Sequence, residues 1–214
     1  MAKVTAPMLS FGASGKIADT LVFSTWRGVP YARRFVIPAN PKTTAQVLTR
    51  DIFTALDMRH KQGGTLMRAP WDRFAVGQKF VGRNAYLGKN ISLTRGDANM
   101  ANYIGSPGAK GGLAPSSLVL TTVAAGGIEG VIVGPTPPSG WTLTSAIMTV
   151  LKDQTPEATV ADVIQEGEDV STPYSVDITG LDTVLYWCQA WLKWAKPDAS
   201  VAYGASIVDS ITVT

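Results

Sequence analysis

The spacing of apolar and polar positions divides the chain into an extended beginning, a helical middle and a β-rich remainder. Leu21-Val22-Phe23-Ser24-Thr25-Trp26 and Tyr31-Ala32-Arg33-Arg34-Phe35-Val36-Ile37 are β-prone runs separated by Arg27-Gly28-Val29-Pro30. A Gly/Pro-containing connection of this length predicts a hairpin. A short hairpin is not stable alone in water, so it has to pack on helices or on a partner chain. Pro38-Ala39-Asn40-Pro41 ends the second run, and Thr43 with Gln46 supplies the T-x-x-Q of a capping box. Val47, Leu48, Ile52, Ala55, Leu56 and Arg59 then recur at helical spacing until Gly63-Gly64. A second helix is expected with Pro70 in its first turn, carrying Trp71, Phe74, Ala75 and Gln78. A third, shorter one is expected over residues 84–94.

From Leu118 the pattern is that of short strands separated by turn residues. They are expected at residues 118–120, 130–133, 146–151, 174–179, 184–194 and 206–214. Tyr174, Val176 and Ile178 alternate with Ser175, Asp177 and Thr179, so one face is apolar and the other polar. In the run from Tyr186 to Trp194, one face carries Tyr186, Cys188, Ala190, Leu192 and Trp194. The other carries Trp187, Gln189, Trp191 and Lys193. Two apolar faces need cover from a neighbouring segment, or they leave an adhesive surface. The stretch 97–115, rich in Gly, Asn, Ala, Ser and Pro, reads as a linker. The expected fold is therefore α+β in two domains: a hairpin with two or three helices over residues 1–108, and an antiparallel β-sandwich over residues 113–214.

Charge sharpens this division. The 214 residues carry a formal net charge of only +3. Residues 1–112, however, hold 16 basic and 5 acidic residues, whereas residues 113–214 hold 3 basic and 11 acidic ones. The halves are +11 and −8. This complementarity favours acidic protein partners, including head-to-tail contact between copies of the chain. The basic field also raises DNA binding as a rival, although no nucleic-acid-binding motif accompanies it.

Candidate chemistry is sparse. The single Cys188 excludes an internal disulfide, and with the single His60 it leaves too few soft ligands for zinc. His60 reads as a solvated residue near a helix end. No apolar run reaches the roughly 18 residues of a membrane-spanning helix, and the N-terminus lacks an apolar signal region. The expectation is a soluble, non-secreted protein without membrane contact. Gly12-Ala13-Ser14-Gly15-Lys16-Ile17 lacks the spacer and the hydroxyl residue of a phosphate loop and reads as a turn. Glu157, Asp162, Glu166, Glu168 and Asp169 lack calcium-loop spacing and read as a solvated edge. Arg95-Gly96-Asp97 reads as a turn leaving a helix, and the sequon Asn90-Ile91-Ser92 has no bearing without secretion. Neither a catalytic set, nor a cofactor site, nor a metal site is expected.

Two stretches resemble known families. Gly15-Lys16-Ile17, Trp26-Arg27-Gly28, Tyr31-Ala32-Arg33-Arg34 and Asn40-Pro41-Lys42-Thr43 with Gln46 resemble a family of proteins encoded by tailed bacteriophages and prophages. The likeness extends through Trp71 and Phe80 to Tyr86, close to half the chain. It implies a virion structural role and brings no catalytic residues. Tyr174 to Leu181 followed by Tyr186 resembles the strand, Gly-Leu corner and tyrosine of fibronectin type III and immunoglobulin-like modules, with Leu181 and Tyr186 one residue closer than usual. Together these imply a virion component of the head, neck, tail or baseplate, made in the bacterial host cytoplasm. Its partners would be other virion proteins and further copies of itself. Trp26, Arg27, Tyr31, Arg33 and Arg34 are the expected anchors, since aromatic and Arg side chains dominate interface energetics. A third class, a sugar- or receptor-binding adhesin, requires Trp187 or Trp191 to be exposed.

Overall fold

The structure, a computed structural model, describes residues 2–3, 14–37, 39–94, 103–109, 112–124, 126–152 and 165–214. Its described elements are, in order, β1 (Ala2–Lys3), β2 (Gly15–Ile17), β3 (Leu21–Trp26), β4 (Val29–Arg34), α1 (Thr44–Gln62), α2 (Thr65–Ala75) and α3 (Gly82–Thr94). There follow β5 (Ser117–Val123), β6 (Gly127–Val133), β7 (Thr142–Lys152), β8 (Gln165–Asp169), β9 (Tyr174–Ile178), β10 (Leu185–Ala195), β11 (Val201–Tyr203) and β12 (Ile207–Thr212). All strand pairs are antiparallel. The fold is mixed α+β with sandwich-like sheets.

The chain divides into two compact units, Met1–Thr43 and Thr44–Thr214. The division falls before the helices and not within residues 97–115. In the smaller unit, the strands form one sheet in the order β1-β4-β3-β2. The hairpin turn is only Arg27-Gly28, both at positive φ (+49° and +80°), so Val29 and Pro30 already belong to β4. Positive φ at both central residues is the primed turn whose twist suits two antiparallel strands. Gly28→Val puts a β-branched side chain at left-handed φ, which costs about 1–2 kcal/mol. Faster amide exchange along β3 and β4, with the larger unit unchanged, is the expected result.

In the larger unit, β8-β7-β10-β11 form one sheet, with β12 also paired to β10, and β5-β6-β9 form a second. The alternation in β9 and β10 decides how these sheets stack. Ile128 and Ile132 of β6, Val176 and Ile178 of β9, Met148 and Val150 of β7, and Cys188, Leu192 and Trp194 of β10 share one core. Burial there pushes the Cys188 thiol up to about 12, helped by nearby Asp209, so it stays protonated at neutral pH. At the corner leading into β10, the backbone N–H of Asp182 donates to the Tyr186 hydroxyl at 2.9 Å.

The opposite face of β10 is covered from within the chain. Trp191 is completely buried with Ile147 and Tyr203, against which Leu66, Ala69 and Val201 pack. Trp187 and Leu151 pack into the helical core of Ile52, Leu56, Met67, Trp71 and Tyr86. This shared core explains why helices and sheets form one unit. The described part of the expected linker is itself a stitch. Tyr103, Gly105 and Ser106 are buried. Trp71 Nε1 donates to the Gly105 carbonyl at 2.7 Å, Ser106 Oγ to the Gly204 carbonyl at 2.6 Å, and Gln189 Nε2 to the Tyr103 carbonyl.

Helix α1 stops at the two glycines, as its sequence predicts, with Gly63 N–H bonded to the Arg59 carbonyl at 2.8 Å. Helix α2 differs from expectation. It begins at Thr65, so Pro70 lies in its second turn. The cause is remote: the Glu166 carboxylate of β8 accepts from the Leu66 N–H at 3.3 Å and the Met67 N–H at 3.0 Å. Two orphan donors at the positive end of the helix dipole are thereby satisfied from a strand.

His60 also departs from its reading. It sits near the end of α1, but it is buried, its ring 5.1 Å from that of Tyr86. Desolvation, together with Arg68, lowers its pKa below the ordinary 6.5. Between the ordinary and the lowered value the unfolded chain binds more protons than the folded one, so stability falls as pH drops through that window. The urea midpoint is expected to decline as pH falls below about 6.5, and His60→Leu is expected to flatten that decline.

Candidate docking interface

The N-terminal unit is built from short strands that bury none of their described side chains. Ile17, Leu21, Val29 and Trp26 are all exposed, Trp26 at 66%, and Val36 and Ile37 just beyond β4 reach 67% and 79%. An ordinary sheet of this size hides at least one apolar face. Strand alternation gives the two faces different chemistry. Ile17, Leu21, Phe23, Pro30 and Ala32 share one face, with Arg34 beside Leu21 as its only described cation. The other carries Lys16, Val22 and Arg33 in one row, Ser24 and Tyr31 in the next, and Trp26 and Val29 at the turn.

The sequence-predicted anchors are therefore brought together only in part. Trp26, Tyr31 and Arg33 lie on one face, Arg34 lies on the other, and Arg27 sits in the turn between the strands. The Arg27 guanidinium carbon lies 5.0 Å from the centre of the Trp26 ring, a cation–aromatic pair at the hairpin tip. Lys16 pairs with Asp19 and lies 4.6 Å over the Phe35 ring. Arg33 and Arg34 have no ion pair or side-chain hydrogen bond among the described residues.

The helical cations are employed differently. Arg68 Nε donates to the His60 carbonyl at 3.0 Å and its Nη2 to that of Lys61, closing the C-terminus of α1. Arg73 Nε donates to the Val201 carbonyl at 2.7 Å. Arg83 and Lys61 share Asp57, at 2.5 and 2.9 Å, and the Lys61 hydrogen bond leads in holding its carboxyl below the usual carboxylate range. Lys89 lies 4.7 Å over the Phe74 ring. These contacts fasten helices to one another and to the sheet, so the basic field of residues 44–94 is largely engaged within the fold.

Trp191 does not belong to any surface, being fully buried, and Trp187 is partly covered by the helical core. The tryptophans assigned to an adhesive surface are those the helices cover. Within the acidic stretch, Glu157 and Asp162 lie outside the described residues. Glu166 caps α2, Glu168 accepts from Ser145 Oγ at 2.5 Å and pairs with Lys193 at 3.2 Å, and Asp169 accepts from Ser171 and Ser175. Backbone N–H bonds from Ser171 and Ser175 lead in lowering the Asp169 pKa. Among the described residues no group of three His, Cys, Asp or Glu side chains is placed to hold a metal ion. Gly15-Lys16-Ile17 is strand β2 and not the turn that its glycine suggests; Gly12, Ala13 and Arg95-Gly96-Asp97 lie outside the described residues. The Asn90 amide is buried, donating to the Tyr86 and Ile104 carbonyls and accepting from the Ile104 N–H, so the sequon is closed in the folded chain. No helix of the described residues is long and apolar enough to cross a membrane.

No protein-family model matches the chain, and no curated protein does. Among solved structures, a chain described as "Myokine structure" is 8% identical, with a TM-score of 0.33, over 48% of this chain and 97% of its own length.

Proposed function

We propose that this protein is a non-enzymatic structural component of a tailed-phage virion, which assembles through protein–protein contacts made by its N-terminal sheet. The observation that carries this reading is a sheet whose apolar and aromatic side chains are exposed on both faces, with Arg33 and Arg34 left unpaired among the described residues. Such a surface is completed by a partner, and its Trp, Tyr and Arg content is that of interface hot spots. The likeness of Trp26-Arg27-Gly28, Tyr31 to Arg34 and Asn40 to Gln46 to phage and prophage proteins supports a virion as the setting.

The larger unit is read as an immunoglobulin- or fibronectin III-like sandwich carrying a helical layer. Its strand order supports this. Strands β5, β6 and β9 occupy one sheet, while β7, β10 and the last strands, with β8 added at the edge of β7, occupy the other. The Asp182 N–H to Tyr186 hydroxyl bond supports it too, being a tyrosine bonded to the backbone a few residues upstream, as at the corner of such modules. A sugar-stacking adhesin loses support because Trp191 is enclosed, and DNA binding loses support because the helical cations are engaged at home.

The test is co-purification with intact particles of the phage that encodes the chain. The expected result is a constant copy number per particle through gradient centrifugation. Recovery only in the soluble lysate, with particles devoid of the protein, contradicts the reading.

A further inference from the structure

Two sheet faces of this chain carry charge of opposite sign on similar apolar ground. The first is the Lys16, Val22, Arg33, Tyr31 and Trp26 face of the N-terminal sheet. The second is the side of the sheet β5-β6-β9 that points away from the sandwich core. There Val119, Val131 and Ser175 form one cross-strand row, and Thr121, Glu129 and Asp177 form the next. Val119 is 54% exposed, and Val133 in the flanking row is 49% exposed. The Glu129 carboxylate accepts from Thr121 Oγ1 at 3.2 Å and Ser175 Oγ at 2.7 Å, both neutral donors. Neither Glu129 nor Asp177 has a cationic partner among the described residues. This distinguishes them from Glu166, Glu168 and Asp182, which are taken up by α2, Lys193 and Lys152.

We propose that the Lys16/Arg33 face of one copy lies sheet-on-sheet against the Glu129/Asp177 face of a second copy. This rests on the docking reading above and names its partner. Among the described residues, each face brings what the other lacks: Arg33 without a carboxylate on one, Glu129 and Asp177 without cations on the other, and valines or aromatics around both. Opposed charges set the register and raise the rate of encounter, while the apolar ground supplies the burial. Because the two faces are different patches, the contact is heterologous, and repetition closes into a ring or runs on as a filament. Three strands about 4.8 Å apart and about 20 Å long offer only a few hundred Å² per copy. That is the scale of a weak contact. A pair in free solution is therefore expected to be loose, and an array of copies on a particle tight through its many simultaneous contacts.

The test is sedimentation velocity of the full chain over a wide concentration series, at low and at high salt. The wild type is expected to show a mass that rises with concentration and falls with salt. Arg33→Glu and Asp177→Lys, each alone, are expected to weaken association about tenfold while retaining the wild-type melting curve. A mixture of the two variants is expected to recover association, since the reversed charges face each other. A wild type that stays monomeric throughout, or association indifferent to both substitutions, overturns the proposal. So does a mixture no better than either variant alone. If the protein still co-purifies with particles after such a result, the docking reading stands and only the identity of the partner is lost.

Discussion

Trp191→Ala is expected to destabilise the larger unit by about 3–5 kcal/mol, the range for deleting a fully enclosed large aromatic. Trp191 sits between two layers, on the face of β10 turned towards the helices, among Ile147, Tyr203, Leu66, Ala69 and Val201. Removing the indole leaves a cavity that two packed layers can close only by shifting as bodies. Its indole N–H has no hydrogen-bond partner among the described residues. Trp191→Phe, which keeps most of the volume, is therefore expected to cost less than about 1.5 kcal/mol. The comparison with Trp71→Phe separates volume from polarity: there the lost bond to the Gly105 carbonyl adds about 1 kcal/mol. Urea denaturation followed by far-ultraviolet circular dichroism measures all three. A Trp191→Ala protein as stable as the wild type would show that the helices do not hold this face.

Glu166→Ala is expected to cost about 2 kcal/mol, combining a lost helix cap with a lost charge at the helix N-terminus. Gly64, the residue at the cap position of α2, offers no side-chain acceptor, and the first turn of α2 contains no acidic residue. The Leu66 and Met67 N–H groups then have water as their only alternative. Glu166→Gln keeps an acceptor and loses the charge, so roughly half the effect is expected. Amide exchange at residues 65–69 reads the effect locally: it is expected to accelerate in Glu166→Ala before the sheets open. Equal exchange in variant and wild type would contradict a cap supplied by β8.

These two sites also mark where the sequence was legible. The faces of β10 could be read from alternation, because a strand has only two sides and Tyr186, Cys188, Ala190, Leu192 and Trp194 all point to the same one. That Trp187 and Trp191 are covered was one of two open readings, and the choice depended on helices more than a hundred residues earlier. Local sequence does not give the start of α2, because its cap comes from Glu166, and no local window contains both. Strand β8 is illegible for a related reason. Gln165-Glu166-Gly167-Glu168-Asp169 has little β propensity, and it pairs because β7 offers an edge and Gly167 leaves room for Val176. Its position near a helix end predicts a solvated His60, but the ring is buried against Tyr86 of α3.

The charge division between residues 1–112 and 113–214 acquires a more specific meaning from the structure. Much of the helical excess is spent on carbonyl groups, on Asp57 and on an aromatic ring, and Glu166 from the acidic half caps a helix of the basic half. Among the described residues, Arg33 and Arg34 of the N-terminal sheet keep no ion pair or side-chain hydrogen bond, and Arg33 shares its face with exposed Trp26. The strongest candidate surface is thus narrower than the basic half as a whole.

The most direct measurement is particle incorporation of an Arg33→Glu, Arg34→Glu double variant, which reverses charge on both faces of the N-terminal sheet without touching a buried side chain. The account predicts a protein that melts like the wild type and is missing from purified particles. Incorporation at the wild-type copy number would contradict it.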